Sequence, residues 1–249
     1  MKRLLQFFFL ILIAGPVMAA GRLADVEIHD QATGRTLPIY ESGSHWFVAG
    51  RPGNEYQVTI RNRDQGDLLA IVSVDGVNVV TGETAASAQS GYVIEKGRPL
   101  SIPGWRKSLE KIAAFYFTDL GDSYAARTGR PDNVGVIGVA LFRRKPEPLA
   151  ELLERPRSRT EAAGAASDSA PRSTPPAATE KKIGTGHGRS QNAPARYVEF
   201  KRDSDQPAEV IAIHYDTYVN LVARGVIREE RKLPLPFPGG FVADPPERG

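Results

Sequence analysis

The stretch from Ile71 to Val80 constrains this chain more than any other. Two runs of β-branched residues, Ile71-Val72-Ser73-Val74 and Val77-Asn78-Val79-Val80, flank Asp75-Gly76. Asp-Gly accepts the positive φ angles of a type I′ turn, the connection whose twist matches paired antiparallel strands. A hairpin is therefore expected there. Its strands are apolar on both faces, so a second layer must cover them.

The same pattern recurs on both sides. Short apolar or alternating runs lie at Val26–His29, Leu37–Glu41, His45–Val48, Tyr56–Arg61, Leu68–Val74, Val77–Thr81, Gly91–Glu95, Leu100–Ile102, Ile112–Thr118 and Val134–Phe142. Turn residues separate them, among them Gly34, Ser42-Gly43, Pro52-Gly53-Asn54, Gln65-Gly66-Asp67 and Lys96-Gly97. Ile112 to Phe117 also fits a helix, but aromatic residues dominate it and a buried strand suits them better. Asp122 is expected to cap a short helix over Ser123–Thr128, stopped by Gly129. The whole region reads as an antiparallel β-sandwich.

Composition then divides the chain. Of the 49 residues from 146 to 194, 29 are Ala, Pro, Ser, Thr or Gly, and none is Phe, Trp or Tyr. Such a segment lacks the apolar surface to offset its ordering entropy. A disordered linker is expected over 146–194, with at most a short helix at Leu149–Leu153. Beyond it, Tyr197–Lys201 and Glu209–Tyr215 read as a strand pair. Asp216 is expected to cap a helix at Thr217–Arg224, with Val226 or Ile227 folding back after Gly225. The fold class is thus mainly β: a sandwich over 21–145, the linker, a small ββα unit over 195–232 and a Pro-rich tail over 233–249 that carries Phe237 and Phe241.

The start of the chain reads as an address. Met1-Lys2-Arg3 precedes an apolar run from Leu4 to Ala14, then Gly15-Pro16 and the small residues up to Ala20. This is the order of a secretory signal peptide, with cleavage expected after Ala19 or Ala20. The run is shorter than the roughly 20 residues that span a bilayer. No later stretch is long and apolar enough, so no transmembrane span is expected after cleavage. The expected location is the periplasm or the medium. Loss of Lys2 and Arg3 leaves 30 basic against 29 acidic residues, and clustered cations of the kind that bind nucleic acid are not visible.

The absence of Cys excludes disulfides, thiol catalysis and thiolate metal sites. The histidines His29, His45, His187 and His214 show no i, i+2 or i, i+4 spacing, so no metal and no cofactor is expected. Asp119, Asp122, Asp132 and Asn133 match no calcium loop. No Gly-x-Ser-x-Gly elbow is present. Gly184-Thr185-Gly186-His187-Gly188-Arg189 resembles a phosphate-cradling loop on paper. It lacks the strand before and the helix after that such a loop needs, and flexible entry to the C-terminal unit is the expected role.

The candidate site is a polar face built from two connections. One is the long link from Gly121 to Gly135, rich in Arg, Asp and Tyr; the other is Trp105-Arg106-Lys107-Ser108. The candidate binding residues are Trp105, Arg106, Lys107, Tyr124, Arg127, Arg130 and Asp132. The alternative is that Arg127, Arg130 and Asp132 merely pin the loop by ion pairs.

Ser73-Val74-Asp75-Gly76-Val77-Asn78-Val79, Gly104-Trp105-Arg106-Lys107-Ser108, Ser123-Tyr124-Ala125-Ala126-Arg127-Thr128-Gly129-Arg130-Pro131 and Asn220-Leu221-Val222-Ala223-Arg224-Gly225 resemble an uncharacterised family of exported proteobacterial envelope proteins. The resemblance implies a Gram-negative envelope setting and carries no catalytic residue. The expected function is non-enzymatic binding of an envelope protein or cell-wall component. Two alternatives stay open. One is a hydrolase acting on an envelope glycan or peptide, with Asp119, Asp122, Glu83 and His187 as candidates; the other is a purely structural surface protein.

Overall fold

The structure, a computed structural model, describes residues 19–146 and 182–228. Residues 1–18 of the expected signal peptide (1–20), most of the expected linker with its Leu149–Leu153 helix, and the Pro-rich tail lie outside the described residues.

The chain runs through β1 (Ala19–Ala20), β2 (Ala24–Asp30), β3 (Arg35–Thr36), β4 (Ile39–Ser42), β5 (His45–Ala49), β6 (Glu55–Asn62), β7 (Leu68–Val74) and β8 (Val77–Asn78). It continues with β9 (Tyr92–Ile94), β10 (Pro99–Ile102), β11 (Gly104–Arg106), β12 (Lys111–Asp119), α1 (Tyr124–Arg127) and β13 (Val136–Arg143). After residue 181 come β14 (Ile183–Asn192), β15 (Glu209–Asp216) and α2 (Tyr218–Ala223). One sheet has the order β1-β2-β6-β12-β11, with β3, β10 and β14 attached to β2, β6 and β12; the other has the order β4-β5-β15-β13-β7-β8, with β9 on β7. The mainly β, two-sheet architecture is the one that the apolar runs predict.

The inner faces of the two sheets supply the core. Ile28, Tyr56, Val58, Ile60, Phe115 and Phe117 come from one sheet; Val72, Val74, Ile137, Val139, Leu141 and Ile213 come from the other. In β13 the buried Ile137, Val139 and Leu141 alternate with less buried Gly138 and Ala140, as a strand's two-residue period requires. The Asp75-Gly76 hairpin forms as expected. Val74 faces Val77, and the two turn residues take φ of 55° and 73°.

The two strands after residue 181 revise the expected partition. Ile183–Asn192 falls inside the expected linker, yet it is β14, pairing with β12 from Lys111 to Asp119. Its glycines give it no helical or strand signature, but they have a structural use. A Cβ on Gly186 would sit 2.2 Å from Cζ of Tyr116, whose ring lies across the strand. Glu209–Asp216 does not pair with Tyr197–Lys201, which lies in neither sheet. As β15 it lies between β13, antiparallel, and β5, parallel. The parallel pair departs from the all-antiparallel expectation. It is possible because β5 and β15 are far apart in sequence, so no tight turn has to join them. The C-terminal strands thus belong to the two sheets.

A buried polar chain fastens β14 to the opposite sheet. The Asp75 carboxylate accepts from the Thr185 N–H at 2.8 Å, the Gly135 N–H at 2.9 Å and the Tyr215 hydroxyl. Each hydroxyl has one proton to give. Tyr215 spends its proton on Asp75, so Thr185 donates to Tyr215 at 2.7 Å and Tyr56 donates to Thr185 at 2.6 Å. Burial pushes the Asp75 carboxyl up, against the pull of these donors. Burial and the nearby Asp75 hold both tyrosine hydroxyls well above their ordinary value.

The outer face of the second sheet is covered in two places. Helix α2, capped by Thr217 rather than Asp216, lays Leu221 on Phe47, and Ile227 folds back onto them as expected. At the other end Phe200 covers Leu69, Ile71 and Phe142. Phe200 belongs to the strap from Ala193 to Arg202, the first part of the connection from β14 to β15.

Candidate functional site

The strap creates a concave surface. It lines a cleft of about 700 Å³ together with the segment from Ala88 to Val93, which runs into β9, and the end of β11. That volume lies within the range of roughly 300–1,000 Å³ usual for ligand clefts. Its lining includes Tyr92, Arg106, Lys107, Arg196, Tyr197 and Arg202.

The cations divide by what holds them. Arg106 donates from Nε and Nη2 to the Tyr92 hydroxyl at 3.2 and 3.0 Å, and from Nη1 to the Ala193 carbonyl. Arg202 donates to the carbonyls of Ser87 and Gln89 at 2.7 and 2.6 Å, and its guanidinium lies 4.4 Å from the Phe142 ring centre. Carbonyls and hydroxyls satisfy N–H groups but leave the positive charge uncompensated. The side chains of Lys107 and Arg196 are exposed and make no hydrogen bond to a described residue. Among the described residues, no carboxylate pairs with any of these four cations. The carboxylate in the lining, Glu95, is already paired with Arg98 at 3.5 Å. The cleft therefore carries an unbalanced positive field.

An aromatic cluster adjoins it. The structure brings Trp105 and Tyr124 together from the two connections singled out in the sequence, with ring centres 5.0 Å apart. Trp105 was expected on a loop but is 3% exposed, because Gly104–Arg106 is a strand paired with β12. It meets Phe115 edge-on at 4.8 Å, and its indole Nε1 is buried without a partner among the described residues. His187, on β14, completes the cluster. Its ring lies 5.4 Å from Tyr124 and 6.4 Å from Trp105. Burial, followed by Lys107 and Arg127, pulls the His187 pKa below its ordinary value. Lys107 thus connects the cluster to the cleft.

The remaining candidates separate. Ser123, not Asp122, caps α1, accepting from the Ala126 N–H at 3.2 Å. Arg130 pins the long connection, though not by an ion pair. It donates to the Gly82 carbonyl at 3.1 Å and to Thr128, and lies 5.9 Å from the Tyr124 ring centre. Arg127 and Asp132 are exposed, and Asp132 joins neither the cluster nor the cleft lining. Tyr92, Arg196, Tyr197 and Arg202 are site residues that the sequence reading did not select. The last three share one signal, the basic and aromatic run Arg196-Tyr197…Lys201-Arg202 around the expected strand Tyr197–Lys201; Tyr92 lies in the expected strand Gly91–Glu95.

His187 has cations beside it, the reverse of the carboxylate that orients a catalytic base. Among the described residues, no three His, Asp or Glu side chains are grouped to hold a metal ion, and no helix is long and apolar enough to cross a membrane. No family model, curated protein or solved structure matches the chain.

Proposed function

We propose that this chain is an exported, non-enzymatic binding protein of the Gram-negative envelope, akin to the exported proteobacterial proteins it resembles, with the cleft as its contact surface. One observation carries the reading: Arg106, Lys107, Arg196 and Arg202 line a single cleft with no carboxylate paired to them among the described residues. Uncompensated cations in a concave site raise the local concentration of anions and speed their capture. The side chains that hold the cleft open are also distinct from those free to meet a ligand. Arg106 and Arg202 brace the walls, and Lys107 and Arg196 project from them.

The test is photo-crosslinking in living cells from a reactive residue placed at position 197. The expected result is a discrete adduct with an acidic envelope component. Lys107→Glu together with Arg196→Glu removes that adduct. Intact mass of the same periplasmic material should show a chain without Met1. A cytoplasmic protein, or turnover of a wall fragment with no adduct at all, overturns the proposal and favours the hydrolase.

A further inference from the structure

Resting on that reading of the cleft, we infer that the ligand is an extended, acidic, all-L segment of a partner protein, which adds as a strand along the strap. The argument comes from the backbone, independently of the charges. The strap is anchored at both ends. The N–H groups of Ala193 and Ala195 donate to the carbonyls of Glu110 and Leu109, both at 2.7 Å, and Lys145 donates to the Lys201 carbonyl at 2.8 Å. Between the anchors, neither the N–H nor the C=O of Arg196, Tyr197 or Val198 has a partner among the described residues. Three consecutive residues of the strap thus present unpaired donors and acceptors beside the cleft. A backbone in that state is a template for another strand.

The side chains around it specify what kind of strand. Tyr197 is 86% and Val198 50% exposed, the two largest apolar side chains left uncovered on the strap. A strand laid along them presents alternate side chains to opposite faces. One face would meet Tyr197 or Val198, and the other the cations. Carboxylates at alternate positions then meet Lys107 and Arg196, whose side chains have no other hydrogen bond among the described residues. An acidic glycan satisfies the charges, and its hydroxyls can meet single amide groups, but it has no regular amide ladder to match consecutive backbone N–H and C=O groups, so a peptide fits the two observations better.

The experiment uses the full mature chain and a fluorescent peptide of alternating Glu and Val. Four probes are compared: the all-L peptide, the same peptide N-methylated at alternate residues, the same sequence with alternating D residues, and a polyuronate of similar charge. The all-L peptide is expected to bind, more weakly as salt rises. N-methylation or D residues should weaken binding at least about tenfold, because each breaks the strand ladder. Lys107→Ala with Arg196→Ala should weaken it by about the same factor, with the thermal midpoint unchanged. Equal binding of the methylated or D-containing peptide, or tighter binding of the polyuronate, overturns strand addition while the cationic cleft stands. Failure of every anion to bind, with the fold intact, overturns the cleft reading itself.

Discussion

Trp105 concentrates the conflict between packing and polarity at this site. Its ring is buried against Phe115 and Tyr124, yet its indole N–H has no acceptor among the described residues. An unsatisfied buried donor costs about 1–3 kcal/mol, whereas deleting a large buried aromatic costs about 3–5 kcal/mol. Trp105→Phe keeps most of the packing and removes the orphan, so chemical denaturation should show a loss below about 1.5 kcal/mol. Trp105→Ala should lose several times more. His187 supplies a second check at this scale. Its pKa is lowered by burial and by Lys107 and Arg127. An NMR titration should find its midpoint below the usual value of about 6.5, and Lys107→Ala should move it upward. The folded chain binds this proton less tightly than the unfolded one. Its contribution to stability therefore grows as pH rises through the lowered pKa, and is complete above about 6.5.

Strand β14 shows which elements the sequence discloses and which it conceals. Strands β7 and β13 are legible because valines, isoleucines and leucines fill their inward positions, and the Asp75-Gly76 turn fixes a register. Strand β14 alternates its inward Ile183 and Thr185 with glycines, because the Tyr116 ring lies against Gly186 and Gly188, and Ser123 and Val134 lie against Gly184. Its one deeply placed side chain beyond Ile183 is Thr185, which no apolar pattern reveals. Besides its pairing with β12, the strand is held by the hydrogen-bond chain to Asp75, a contact between residues 110 positions apart. Tyr215→Phe deletes one link of that chain and leaves the Asp75 carboxylate with one donor fewer. The expected loss is about 1–3 kcal/mol at neutral pH. Its pH dependence has a definite sign. The folded pKa of Asp75 is raised, so the folded chain binds the proton more tightly, and stability falls as pH rises from the unfolded value of about 3.9 through the folded one. Losing a donor raises that pKa further. Denaturation curves should therefore show a smaller penalty for Tyr215→Phe below about pH 4 than at pH 7. An equal penalty at both would mean that Asp75 is not charged in the fold.

At the scale of the molecule, the two sheets are incomplete without the residues after 181. Strand β14 lies along the whole of β12, and β15 separates β5 from β13. A fragment of residues 21–146 should therefore lack a cooperative unfolding transition, although composition alone marks it as a domain. A chain cut between residues 147 and 181 should stay together through gel filtration and unfold as one unit. The same topology explains why only part of the site was legible. Trp105, Tyr124 and Lys107 were identified from their own loops. Arg196, Tyr197 and Arg202 matter because the strap must cross from one sheet to the other, and no local pattern encodes that crossing.

The strap is also where the account is tested most directly. Hydrogen exchange at Arg196, Tyr197 and Val198 reports whether their amides are unpaired in the free protein and paired in the complex. Exchange is predicted to be fast in the free chain and strongly slowed by the all-L acidic peptide, with the neighbouring Ala195 amide, which donates to the Leu109 carbonyl, protected in both states. Protection already present in the free chain, or exchange at these three amides unaltered at saturating peptide, would contradict the account.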